Sequence, residues 1–186
     1  RDNRGFVPSG LLHSNSAAMT ATAFTLRPAT ADDCDTLLRL IAELAEYEKL
    51  THLVEATPEK LSRTLFGARP LAEAVLAEVP TPEGPRAIGF ALFFHNYSTF
   101  LAKPGLYLED LYVEPAWRGH GIGKALLIHL AGLAVGRGCG RFEWTVLDWN
   151  TPSIDFYRAM GASVLPDWRI CRVTGEALTA MAGKSA

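Results

Sequence analysis

The stretch Gly105-Leu106-Tyr107-Leu108-Glu109-Asp110-Leu111-Tyr112-Val113-Glu114-Pro115-Ala116-Trp117-Arg118-Gly119-His120-Gly121-Ile122-Gly123-Lys124 decides how this chain folds. Its first half is an apolar run rich in strand-forming residues and interrupted only by two acids, and Glu114-Pro115 closes it. A glycine-rich turn follows, and residues 122–135 beyond it are almost wholly apolar over the length of a helix. A buried strand, a tight turn and a buried helix in that order are a unit of an α/β protein. Glycine at Gly119, Gly121 and Gly123 lets backbone N–H groups approach an anion, and the helix beginning there aims its positive dipole end at the same point. The turn is built to cradle a phosphate.

Working outward, residues 1–22 are rich in Ser, Asn, Ala and Gly and read as an extension outside the fold, with Met19 as a natural start. Phe24-Thr25-Leu26-Arg27 alternates like a short strand closed by Pro28. Thr30 with Asp33 resembles a capping box with the acid shortened, opening a helix over 34–47 whose apolar face is Leu37, Leu40, Ile41, Leu44 and Ala45. Thr57, Pro58 and Gly67 bracket a second helix. Strands over 71–79 and 86–94, joined by the turn at 80–85, read as a hairpin with a long loop. After the central unit, Gly136, Gly138 and Gly140 stop the apolar helix. A strand over 141–147 follows, then a helix from Thr151-Pro152 to Gly161, then closing strands over 163–165 and 168–173. The alternation implies an α/β protein with a central mixed sheet and helices on both faces, residues 23–186 forming one domain.

The 186 residues, 48% hydrophobic, suffice for one substantial core. A formal charge of -2 gives no general attraction for polyanions, so nucleic acid is not an expected partner. No apolar stretch reaches the roughly 18 residues of a membrane span, and no signal sequence opens the chain, so a cytoplasmic protein without membrane association is expected. Cys34, Cys139 and Cys171 lack paired spacing and read as reduced structural thiols. The five histidines show no ligand spacing, so no metal is assigned; His120 stands in the turn as a spectator or a supplementary charge.

Two familiar phosphate motifs fail here. A Walker loop needs four residues between its glycines and then Gly-Lys-Ser/Thr, whereas three separate Gly119 from Gly123 and Lys124 precedes Ala125. The dinucleotide fingerprint G-x-G-x-x-G is not met by G-x-G-x-G, and Glu143 sits at the wrong end of its strand for a ribose acid. What remains is Arg/Gln-x-x-Gly-x-Gly/Ala, carried by Arg118, Gly121 and Gly123. This resembles the acyl-CoA pyrophosphate turn of the GNAT acetyltransferase superfamily. Trp149-Asn150-Thr151-Pro152-Ser153 through Phe156-Tyr157 to Gly161-Ala162 is similar to that superfamily's later helix, which flanks the thiol end of CoA.

The chemistry such a family performs needs a group to protonate the departing thiolate, and Tyr157 is the candidate acid. It also needs a base, because an alkyl ammonium with a reference pKa near 10.4 must lose a proton before it attacks. Glu109 is the candidate, direct or through water, since a carboxylate within an apolar strand is costly unless paired, solvated or useful. Strand alternation puts Asp110 on the opposite face, as a structural hydrogen-bonding acid.

The resemblance extends to the spermidine/spermine and thialysine acetyltransferases. It is carried by Arg27-Pro28-Ala29-Thr30, Asp33-Cys34, Glu43-Leu44-Ala45, Tyr47-Glu48, Ala77-Glu78-Val79-Pro80, Leu106-Tyr107-Leu108-Glu109-Asp110 and Trp149-Asn150. It implies the GNAT fold, acetyl-CoA as cofactor, a small-molecule amine as acceptor and a homodimer. It further implies that Leu111, Tyr112 and Val113 pair with pantetheine and that Arg118, Gly119, His120, Gly121, Ile122, Gly123 and Lys124 hold the pyrophosphate. Asn150, Pro152 and Ser153 would touch the cofactor, and Tyr47, Glu48, Glu109, Glu143, Trp144 and Thr145 would line the amine site. One departure bears on the acceptor. The polyamine enzymes carry an acidic cluster before a late Trp, whereas Leu165-Pro166-Asp167-Trp168 offers one carboxylate, leaving a diamine or a thialysine-like amino acid in play. Acetylation of a protein or peptide, and a CoA-binding module without catalysis, are the alternatives.

Overall fold

Residues 23–184 are described by the structure, a computed structural model. Strand β1 (Thr25–Pro28) runs antiparallel to β2 (Glu73–Thr81), β2 to β3 (Gly84–Ser98) and β3 to β4 (Lys103–Val113). A fifth strand, β5 (Arg141–Trp144), follows β4 at the end of the sheet, so spatial order follows chain order. Helix α3 (Ile122–Gly136) connects β4 to β5, the crossover that parallel neighbours require, and the sheet is mixed. Two compact units divide the chain, one ending at Phe142 and one beginning at Glu143.

In the first unit, helix α1 (Cys34–Glu48) and helix α2 (Pro58–Phe66) cover one face of the sheet. Leu37, Leu40, Leu61 and Leu65 pack there with Ala74, Leu76, Phe90 and Tyr112. The alternate residues Val75, Ala77, Ala91 and Phe93 are buried as well, and α3 packs across β2, β3 and β4 through Ile122, Leu126, Leu127 and Leu130. Both faces are therefore covered, which is why Ala74-Val75-Leu76-Ala77 is apolar without alternation. Each fully buried leucine contributes about 2 kcal/mol of transfer free energy.

The start signals hold. The Asp33 carboxylate accepts from the Thr30 N–H at 2.7 Å and from its hydroxyl at 3.0 Å. Thr57 Oγ1 accepts from the Lys60 N–H at 3.2 Å at the head of α2. Arg27 donates to Asp33 and to Glu78 at 2.7 Å, tying β1, β2 and the approach to α1 together, and it holds Asp33 down at about 2. Cys34 is buried, Cys139 half-buried and Cys171 exposed, all as free thiols. No helix among the described residues is long and apolar enough to cross a membrane.

Three expectations are corrected. The loop expected at 80–85 is a tight turn: Pro80 faces Pro85, Thr81 faces Gly84, and Thr81 Oγ1 donates to the Gly84 carbonyl at 2.7 Å. The hairpin itself is as expected; proline lacks an N–H but keeps extended backbone, so Pro80 and Pro85 lengthen its strands and shorten its loop. In the second unit β5 ends at Trp144, three residues short of the expected strand end at 147, as the chain turns with the Asn150 N–H donating to the Leu147 carbonyl at 2.9 Å. The closing strands over 163–165 and 168–173 do not form; those residues are exposed coil, and an unforeseen helix α5 (Gly175–Ala182) follows α4 (Thr151–Ala159). Their apolar alternation satisfies the strand pattern, but a strand also needs a neighbouring ladder. The readings of residues 1–22 and of Met19 lie outside the described residues.

Candidate active site

The register of β3 against β4 breaks at one place. Leu92 pairs with Asp110 and Phe93 with Leu108, leaving Glu109 as an extra residue on β4. A bulge suspends strict alternation and re-aims side chains. Through its pairing with Leu92, Asp110 shares the α1 face with Phe90 and Tyr112, while Leu108 shares the opposite face with Phe93. Strand parity therefore does not separate Glu109 from Asp110 at this point. Burial pushes Asp110 up to about 7, and the carboxylates of Glu109 and Glu48 add to the rise. Burial likewise raises Glu48, at the end of α1. The exposed Glu109 and the helix-end Glu48 thus both act on Asp110. Nothing in a single chain's pattern announces the bulge that puts Asp110, expected to be structural, on the face opposite Leu108.

Downstream, Glu114 fixes the end of β4. Its N–H donates to the Ile88 carbonyl at 2.9 Å, and its buried carboxylate accepts from Arg39 and from Arg86 at 2.8 Å. After one short turn over Pro115–Trp117 the chain reaches Gly119 and Gly121, both at φ 81, with Gly121 at the N-cap position of α3. A Cβ added at either would meet nothing within 4 Å, so left-handed backbone, and not space, asks for glycine. Left-handed residues ahead of a helix are a backbone arrangement that can offer N–H groups to an anion, and the dipole at the head of α3 favours one there. The geometry suits a pyrophosphate.

Arg118 is an exposed residue held at several points. Its Nε–H donates to the Val113 carbonyl at 3.0 Å, and its guanidinium lies 4.6 Å from the Tyr47 ring centroid and 5.8 Å from that of Tyr112. His120 folds back on the turn, its Nδ1 3.0 Å from the Arg118 carbonyl and 3.3 Å from that of Trp117, which requires Nδ1–H as donor. Lys124 is exposed in the first turn of α3. The Ile122 and Tyr112 side chains are buried, so these two could serve a ligand mainly through backbone, as the pattern for Leu111 and Val113 also asks.

The second unit gathers the other candidates. Glu143 and Trp144 end β5, with Thr145 next. The Trp144 and Tyr157 rings meet edge to face with centroids 5.1 Å apart, and Phe156 lies 5.4 Å from Tyr157. Phe156 and Ile154, read from sequence as core, are only half-buried. Buried Asn150 caps α4, its Oδ1 accepting from the Ser153 N–H at 3.4 Å, and Pro152 occupies the first turn.

Residues 39–162 match the family described as Acetyltransferase (GNAT) family. The chain is 40% identical over 166 residues to a thialysine N-epsilon-acetyltransferase of Bos taurus, covering 86% of this chain and 97% of that one. It is 38% identical over 197 residues to the L-ornithine N5-acetyltransferase NATA1 of Arabidopsis thaliana, covering 84% and 86%. Among solved structures, an integron cassette protein from V. cholerae superposes with a TM-score of 0.71 at 24% identity, over 87% of this chain and 98% of that one.

Proposed function

Because this chain belongs to the GNAT family of acetyl-CoA-dependent N-acetyltransferases, we propose that it acetylates a primary amine on a small molecule, a diamine, a polyamine or a lysine-like amino acid. The observation that carries this reading is the group of Glu48, Glu109 and Asp110, which lies on the same unit as the phosphate turn. A carboxyl raised by burial and by neighbouring acids is stabilised as the carboxylate by a cation placed beside it, and an alkyl ammonium is such a cation. The relatives named for thialysine and ornithine support a short amino-acid acceptor, as does the lone Asp167 before Trp168.

Bound acetyl-CoA would supply a thioester carbonyl and a thiolate leaving group. The chain's own residues must hold that molecule, strip one proton from the ammonium and return one to sulfur. The left-handed glycines, the head of α3 and Arg118 fit the pyrophosphate. Glu109, exposed at the bulge, takes the ammonium proton directly or through water. Asp110 is a second acceptor, since a base whose pKa lies near working pH is the most effective. Tyr157 is assigned the return of a proton to the thiolate. The family resemblance further supports a homodimer acting in the cytoplasm.

Purified protein given acetyl-CoA and a panel of thialysine, ornithine, lysine, diamines, polyamines and a lysine peptide should release CoA thiol with at least one small amine. Turnover of the peptide alone would select a protein acetyltransferase, and CoA binding with no turnover on any acceptor would sink the enzymatic reading.

A further inference from the structure

The resemblance gives Tyr47 to the amine site, yet its ring lies on Arg118. We propose that Tyr47 is a positioning residue for Arg118, stacking the guanidinium so that it meets the cofactor's pyrophosphate already oriented. This rests on the reading of the glycine turn as the CoA site.

An arginine on an exposed turn carries about 2 kcal/mol of rotamer freedom, which must be surrendered when it grips a ligand. Here much of that freedom is already restricted. The Nε–H is fixed to the Val113 carbonyl at 3.0 Å, and the Tyr47 ring centroid lies 4.6 Å from the guanidinium carbon. Tyr112, at 5.8 Å, contributes a second and more distant ring. The cation–π contact draws on the guanidinium's charge over the ring, whereas phosphate is bound by its N–H groups, so one arginine can make both.

The ring is carried by a capped helix end. Tyr47 is the penultimate residue of α1, and the helix ends two residues later with Lys49 in the left-handed conformation, its N–H donating to the Ala45 and Glu46 carbonyls. Glu48, which acts electrostatically on Asp110, follows Tyr47 directly. The helix end that carries an acid of the proposed amine site therefore also sets the arginine of the phosphate turn.

The test is calorimetric titration of CoA into the native protein, Tyr47→Leu, Tyr47→Phe, Arg118→Met and the double variant Tyr47→Leu/Arg118→Met. Tyr47→Leu should weaken CoA binding about two- to fivefold, the range for a partly exposed cation–π pair. Tyr47→Phe keeps the ring and should stay within about twofold. In the Arg118→Met background, removing the Tyr47 ring should cost nothing further, because the cycle isolates the pair. Should Tyr47→Leu fail to fold, a fluorinated phenylalanine in place of Tyr47 keeps the shape while draining the π face, and CoA affinity should fall relative to Tyr47→Phe. An equal cost of Tyr47→Leu with and without Arg118, or no cost at all, overturns the proposal while native CoA binding still supports the turn. Native protein that binds no CoA overturns both.

Discussion

Replacing Asp110 by Asn should make the protein more stable and less active, in amounts that depend on pH. Burial, aided by Glu109 and Glu48, raises this carboxyl from the ordinary 3.8 to about 7. At 1.36 kcal/mol per pH unit, ionising it in the folded chain at pH 8 forgoes ~4 kcal/mol relative to an acid of ordinary strength. The folded state binds the proton more tightly than the unfolded state. The resulting stabilisation is complete below pH 3.8, declines as pH rises and is gone above about 7. Asn cannot ionise, so the stability of Asp110→Asn relative to native should climb by about 1.4 kcal/mol per pH unit in that window and then level off. Between pH 5 and pH 8 the gap should widen by about 3 kcal/mol, read from urea unfolding of both proteins at each pH. Asp33 does not confuse the result, because Arg27 lowers it to about 2 and its stabilisation is lost only as pH falls toward that value. A gap equal at pH 5 and pH 8 within about 0.5 kcal/mol would refute the placement of Asp110 in a desolvated acidic group. Under the proposed function, turnover at pH 7 should fall tenfold or more as stability rises.

Gly121→Ala forces an L residue to φ 81 without a clash; it should cost about 1 kcal/mol in thermal unfolding and weaken CoA at least fivefold by calorimetry as the N–H groups turn away. Glu114→Gln leaves Arg39 and Arg86 without their shared charge partner; both arginines are partly solvated, so a loss of only about 1–2 kcal/mol in urea unfolding is expected, together with weaker CoA binding from a looser turn. Tyr157→Phe should lower kcat by tenfold or more in a thiol-release assay and leave the Kd for CoA unchanged. An unchanged kcat would remove Tyr157 from the acid role.

The parts of this fold that were legible in the sequence are those decided within a few residues. The caps at Thr30 and Thr57 were readable because their partners, Asp33 and Lys60, stand three positions away. The glycine turn was readable because left-handed backbone at Gly119 and Gly121 is a local demand of the chain. The parts that were not legible depend on what lies alongside. Residues 163–173 carry a strand's alternation but no ladder, and Pro80 and Pro85, which suggest a long loop within the expected hairpin, pair as the last residues of its strands. The same division runs through the site. Glu109 could be singled out as an acid in an apolar strand, whereas the face on which Asp110 lies follows from the extra residue in the β3–β4 register, and the contact of Arg118 with the Tyr47 ring joins residues far apart in the chain.

The bulge gives a physical reason why two adjacent acids stand in the middle of β4. In a regular ladder Asp110 would share its face with Leu106 and Leu108, both buried, and an ionised carboxylate there would be prohibitively costly. Slipping the register by one residue at Glu109 moves Asp110 to the side of α1, where Glu48 and the exposed Glu109 are its neighbours. The cost does not vanish there; it is reduced until the group titrates close to neutrality. An apolar side chain would spare the protein that cost, so the acid's presence is best explained by a ligand that lifts it, and a protonated amine does so by entering the cluster. On this reading amine binding should lower the pKa of Asp110, and a charged acceptor should raise the Tm more at pH 8 than at pH 5, whereas a neutral analogue of the same size should show no such difference.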